Sequence, residues 1–167
     1  MEIPIEKIKE LRERCGAGIM DCRKALTEAG GDIDQALESL KCKGAQIAQK
    51  VVERETAEGL VDAYIHTGGR VGAMVEVNCE TDFVARTDEF KHLAHELAMQ
   101  VAAVAPKFVS QEDIPSGTEA DPTCDCLLLQ PYIRDPSRTI KDIITEVIAR
   151  VGENIRVKRF ARFELGT

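Results

Sequence analysis

Two β-rich runs, Leu60-Val61-Asp62-Ala63-Tyr64-Ile65-His66 and Val71-Gly72-Ala73-Met74-Val75-Glu76-Val77, are separated only by Thr67-Gly68-Gly69-Arg70. So short a link leaves no room for a crossover, so the two runs must pair antiparallel. Gly68-Gly69 accepts the positive φ that a tight hairpin requires. Directly after the second run comes the polar stretch Asn78-Cys79-Glu80-Thr81-Asp82-Phe83-Val84-Ala85-Arg86, and then a helical repeat of Phe90, Leu93, Ala94, Leu97, Ala98, Val101, Ala102 and Ala105. Thr87 or Asp88 can cap that helix and Pro106 ends it. The polar stretch therefore sits at a strand-to-helix corner. Thr81 or Asp82 can cap the turn, and Phe83 has two readings there. It folds back as a hydrophobic staple, or it stands out with Asp82 as an anchor for a partner's pocket.

The rest of the chain is arranged around that corner. Ile5, Ile8, Leu11, Arg12 and Cys15 share one helical face, with Pro4 at the helix start. A second helix is expected from about Ile19 to Ala29, with Met20, Ala25, Leu26 and Ala29 as its apolar side. Gly30-Gly31 ends it, and Asp32 caps a third helix whose face is Ile33, Ala36, Leu37 and Leu40 and whose stop is Gly44. So small a bundle suits a recognition module or a packing subdomain. Residues 45–58 form a connector, helical or flexible. Residues 110–126 read as an exposed polar loop, and Leu127-Leu128-Leu129 returns the chain to the core. Asp135 to Thr139 introduces a last helix, with Ile140, Ile143, Ile144, Val147, Ile148 and Val151 inward and Gly152 as its stop. Ile155 to Leu165 reads as a third strand, whose Arg156, Lys158, Arg159 and Arg162 form a solvated face. The expected fold is α+β: a three-helix module (1–44), the connector (45–58), and a core (59–167) with a small, mostly antiparallel three-stranded sheet packed with helices.

Several function classes drop out. A net charge of −7 does not suit a nucleic-acid binder. No run approaches a membrane span, and the charged start Met1–Glu6 lacks a leader's apolar core, so a cytoplasmic protein is expected. The six cysteines, Cys15, Cys22, Cys42, Cys79, Cys124 and Cys126, read as reduced thiols, because Cys124-x-Cys126 has no second pair to complete a zinc site. His92 and His95, at i and i+3, lack further ligands and read as exposed helix residues. Phosphate-loop and dinucleotide fingerprints are absent. Cys79, at the end of an apolar strand, reads as buried. No enzyme and no cofactor are expected.

Four blocks closely resemble the bacterial translation elongation factor Ts family, in that family's order. They are Leu11–Leu26 with Ala29-Gly30-Gly31-Asp32-Ile33, then Glu76–Ala85, then Gln130-Pro131-Tyr132-Ile133-Arg134-Asp135, and finally Gly152–Phe160. The resemblance implies a ubiquitin-associated-like N-terminal module and a guanine-nucleotide exchange factor for elongation factor Tu. It implies that Asp82 and Phe83, flanked by Thr81 and Val84, intrude near the partner's nucleotide and Mg²⁺ site and loosen GDP. It also implies docking of the N-terminal module through Arg12, Ile19, Met20 and Arg23. A rival reading is a ubiquitin-associated-type binding module on an inert scaffold; a cysteine-dependent enzyme built on Cys79 is a second.

The chain departs from the family's pattern in two places. Ile19 stands where Met is common, a volume-tolerant change. The segment between Ile114 and Leu128 is short where the family usually carries additional helical sequence, so contacts made there with other domains of the partner are missing. Only one copy of the core subdomain occurs. Short members of the family pair as homodimers, which makes a homodimer a further expectation.

Overall fold

A computed structural model describes residues 3–167. The reading of Met1–Glu6 therefore falls partly on Met1 and Glu2, which lie outside the described residues. Helices α1 (Ile5–Cys15), α2 (Ile19–Glu28) and α3 (Ile33–Val51) come first. Gly16 closes α1 in the left-handed conformation, and the Asp32 carboxylate caps α3 by accepting from Gln35 N–H at 3.0 Å. Ile8, Leu11, Cys22, Ala25, Leu26 and Ala36 form a small core of their own. Met20, expected on the inner side of α2, is instead exposed, and Cys22 takes the buried position.

Gly44 does not stop α3, which continues to Val51. A glycine inside a helix costs about 1 kcal/mol, but here it permits a close helix crossing. A Cβ at Gly44 would lie 3.3 Å from the Cβ of Ala149, on helix α7 (Ile140–Val151). Beyond the crossing, Ile47, Ala48 and Val51 pack into the second, larger core. The helix thus belongs to both cores, and the first half of the connector is its last turns.

Strands β1 (Glu58–Ile65), β2 (Val71–Cys79) and β5 (Ile155–Glu164) form one antiparallel sheet in the order β1-β2-β5. Gly68 and Gly69 both take positive φ at the hairpin. Helix α5 (Asp88–Val104) covers one face of the sheet, burying Phe90, Leu93, Leu97 and Val101 against Val75 and Val77. The expected helix caps are present: Thr87 accepts from Phe90 N–H at 3.2 Å, and Thr139 and Asp142 form a reciprocal box at the start of α7. Gly152 ends α7 with φ 74°.

Two expectations need correction, and a third is extended. Asp135–Thr139 is not a helix lead-in alone; it is strand β4, paired with the two-residue strand β3 (Pro131–Tyr132). The buried Gln100 side chain holds this small hairpin, accepting from Ile133 N–H and donating to Pro131 O. The polar segment 110–126 contains a 3-10 turn and helix α6 (Pro122–Asp125), and Phe108 pairs with Cys126 across its base. Of the β5 cations, Arg156, Lys158 and Arg159 are exposed as expected and Arg162 is half-buried, but three of the four also make bonds. Arg159 pairs with Glu76 at 2.7 Å, Arg162 donates to Ala102 O at 3.0 Å, and Arg156 donates to Val52 O.

Candidate functional site

At the end of β2 the chain must leave a strand whose alternate residues Ala73, Val75, Val77 and Cys79 are buried and enter a helix. It does so through helix α4 (Asp82–Ala85), a single turn capped by the Thr81 hydroxyl. Cys79 is completely buried and its thiol donates to Thr81 O at 3.1 Å. Burial, followed by the charge of Glu153, pushes that thiol up to about 11. A thiol so protonated and enclosed is a poor nucleophile.

The corner sorts its four expected residues into two kinds. Phe83 is 80% exposed, the most exposed large apolar side chain among the described residues. Asp82 lies beside it and is paired with Arg86 at 2.9 Å, one helical turn on. Val84 points the other way and packs against the main core. Thr81 is half-buried and held from outside the corner. Its N–H donates to Glu153 Oε2 at 3.0 Å and its hydroxyl donates to Glu153 Oε1 at 2.6 Å. Phe83 thus projects, Asp82 lies half-buried beside it, and Thr81 and Val84 fasten the mount.

The fastening extends one residue back. The Glu80 carboxylate accepts from Asn154 N–H at 2.7 Å, and Asn154, itself buried, donates its amide hydrogens to Val52 O and Arg54 O. The Gly152-Glu153-Asn154 turn therefore ties the corner to the exit of α3. Glu80, Glu153 and Asn154 carried no role in the sequence reading, although Gly152–Phe160 stood out as one of its blocks. The missing signal was the contact across more than 70 residues of chain.

The second group of expected residues also comes together. Arg12, Ile19, Met20 and Arg23 line one cleft between α1 and α2, of about 500 Å³, with Ile5 on its rim and Ile8 at its floor. Ile19 is 56% and Met20 72% exposed. Two neighbouring apolar side chains left in water beside guanidinium groups form a surface suited to an apolar stripe with acidic flanks.

Elsewhere the expectations resolve simply. His92 and His95 are both exposed on α5, His95 lying 3.3 Å from Asp62. Among the described residues, no cluster of His, Cys, Asp or Glu has the form of a metal site. No helix there is long and apolar enough to cross a membrane.

Known proteins match this sequence along nearly its whole length. The chain is 48% identical to elongation factor Ts of Thermoanaerobacter pseudethanolicus, an alignment covering 98% of this chain and 95% of that protein. The chain belongs to the elongation factor Ts family. The elongation factor Ts of Thermotoga maritima is 47% identical, with 99% and 98% covered. That of Carboxydothermus hydrogenoformans is 47% identical, with 98% and 89% covered. The family description "Elongation factor TS" matches residues 44–121, which include the Thr81–Val84 corner. These alignments run over 194 positions, more than the 167 residues of this chain, so these elongation factor Ts relatives carry residues for which it has no counterpart. Family membership makes it a translation elongation factor by class, and leaves the work of each projecting residue to be argued from its geometry.

Proposed function

We propose that this protein is the guanine-nucleotide exchange factor for elongation factor Tu, working in the cytoplasm without a cofactor and without making or breaking covalent bonds. The observation that carries the reading is Phe83: a large apolar side chain 80% exposed on a corner whose neighbouring residues are anchored. Leaving it in water forgoes the roughly 2 kcal/mol that its burial is worth. A partner's pocket recovers that energy.

The mechanism follows from what holds GDP. The nucleotide is bound through phosphate contacts and through Mg²⁺, whose octahedral shell tolerates little displacement. A rigid corner that enters beside that shell, with Phe83 filling space and the Asp82 carboxylate near the phosphates, weakens the ion's ligands and GDP with them. The coupling is reciprocal: if the factor weakens GDP, GDP weakens the factor by the same ratio. The factor lowers the release barrier, and GTP abundance decides what rebinds. The Arg12, Ile19, Met20 and Arg23 cleft supplies docking affinity, which holds the corner at its target. In this division residues 1–44 dock, residues 45–58 connect, and residues 59–167 carry the corner.

A module on an inert scaffold does not account for a corner secured by Glu153 and Asn154. A Cys79 nucleophile does not suit a buried, protonated thiol. The test is release of fluorescent GDP from preloaded elongation factor Tu, with this protein substoichiometric and unlabelled GDP in excess. Each factor molecule should discharge many partner molecules; release no faster than the spontaneous rate contradicts the proposal.

The same proposal includes a homodimer. The sheet face away from α5 carries Val61 and Ile65 on β1, Met74 on β2 and Phe163 on β5, all exposed. The register places them together: Ala63 faces Met74, which faces Ala161, and Ile65 faces Gly72, which faces Phe163. A flat apolar face on three strands is self-complementary under a two-fold axis, and a second copy of this chain is its occupant.

A further inference from the structure

The Phe83 ring is 80% exposed, so its direction is set largely by the backbone that carries it. That backbone has little stiffness of its own. Helix α4 is one turn of four residues, too short to be stable alone, and its internal cap, Val84 N–H to Thr81 Oγ1, is long at 3.5 Å. What fixes the start of α4 comes from the other end of the core. Glu153 receives both the N–H and the hydroxyl of Thr81 on its two carboxylate oxygens, at 3.0 and 2.6 Å. Glu80 returns the favour by accepting the N–H of Asn154 at 2.7 Å. Two consecutive corner residues and two consecutive turn residues thus exchange carboxylate-to-backbone bonds. The turn itself is firmly placed, because Gly152 closes α7 in the left-handed region and Asn154 is held by two carbonyls at the exit of α3.

We propose that Glu153 is the positioning residue of the exchange step: its carboxylate aims the corner, so that Phe83 enters the partner already oriented. The inference rests on the exchange reading of that corner. Glu153 is only half-buried, on the turn that follows α7, so its loss loosens the corner more than the fold. An ordered Phe83 converts docking energy into displacement of the nucleotide. A disordered one first spends that energy on being ordered, which slows release from the docked complex and leaves docking itself little changed.

The experiment measures GDP release from elongation factor Tu over a range of factor concentration, giving a plateau rate and a half-saturating concentration for wild type, Glu153→Ala and Glu153→Gln. Glu153→Ala is expected to lower the plateau about tenfold while moving half-saturation less than about twofold, the pattern of an interaction made only in the transition state. Glu153→Gln, which keeps one acceptor oxygen for Thr81, is expected to fall between. The chain has no tryptophan, so Phe83→Trp provides a single probe of the corner. Its anisotropy in the free protein is expected to drop when Glu153→Ala is added. A Glu153→Ala plateau within about twofold of wild type overturns the inference, and a raised half-saturation at that unchanged plateau would be the pattern of lost docking instead. Thermal unfolding is followed alongside; if Glu153→Ala is unfolded at the assay temperature, Glu153→Gln is judged by the same criterion. Wild type without any acceleration overturns the exchange reading and this inference with it, whereas wild-type acceleration matched by the variant overturns the positioning role alone.

Discussion

The Arg150 guanidinium lies over Gly16 so closely that a Cβ at Gly16 would stand 2.3 Å from Nη2. Arg150 donates to Cys15 O at 3.2 Å and to Glu89 at 2.7 Å, joining the end of α1 to the starting turn of α5. Gly16 has φ +64°, so alanine there costs about 1 kcal/mol for backbone conformation alone. Displacing Arg150 adds to that. Gly16→Ala is therefore expected to destabilise the wild-type background by about 2 kcal/mol, and an Arg150→Ala background by only about half as much. Denaturant unfolding of the four proteins checks it. Equal costs in both backgrounds would show that the latch contributes nothing.

Much of this architecture was legible because local signals agreed with one another. Gly68-Gly69 between two β-rich runs specified the hairpin, and the repeat from Phe90 to Val101 specified the covering helix. The caps at Asp32, Thr87 and Thr139 were readable from residue type alone. What failed was tertiary. Gly44 reads as a stop, yet its missing side chain is what lets α3 cross α7 at Ala149. Met20 scores as an apolar helix residue, yet its position on α2 turns it to solvent. For Phe83, local residues left staple and anchor equally open. The partners that hold the neighbouring Thr81 and Glu80 are Glu153 and Asn154, more than 70 positions away, and no local periodicity reports them.

The buried thiol at the corner gives stability a pH dependence. Cys79 is pushed from 9.0 up to about 11, by burial first and by Glu153 second. The folded state keeps this proton at pH values where the unfolded chain has lost it, so the contribution is complete below pH about 9 and declines as pH rises toward about 11. Wild type is expected to lose stability through that window, and its advantage over Cys79→Ala to shrink. Urea titrations of both proteins between about pH 8 and 11 test this. A constant gap contradicts it.

If the open sheet face joins two copies, a charge at its centre separates them. Met74 is the middle exposed residue of that face, so Met74→Lys should leave the monomer folded, because Lys there reaches water. It should abolish the dimer, because two buried ammonium groups would face each other. Sedimentation at micromolar concentration is expected to show a dimer for wild type and a monomer for the variant. A variant dimer as tight as wild type would assign the interface elsewhere.

Docking and displacement should separate kinetically. Met20 is 72% exposed, so Met20→Ala should change stability by less than about 0.5 kcal/mol. As an apolar contact made equally before and during release, its loss is expected to raise the half-saturating factor concentration by about tenfold and leave the plateau rate unchanged. A lower plateau at unaltered half-saturation would move Met20 from docking to displacement.

The central claim is that Phe83 is the displacing group. Its most direct test is the plateau rate of GDP release from elongation factor Tu for Phe83→Ala against wild type, at factor concentrations that saturate each. The ring is 80% exposed in the free protein, so the variant should unfold close to the wild-type temperature. A fall of at least about tenfold in plateau is expected, the loss typical of an aromatic anchor worth about 2 kcal/mol. A plateau within about twofold of wild type, from a folded variant, would contradict the account.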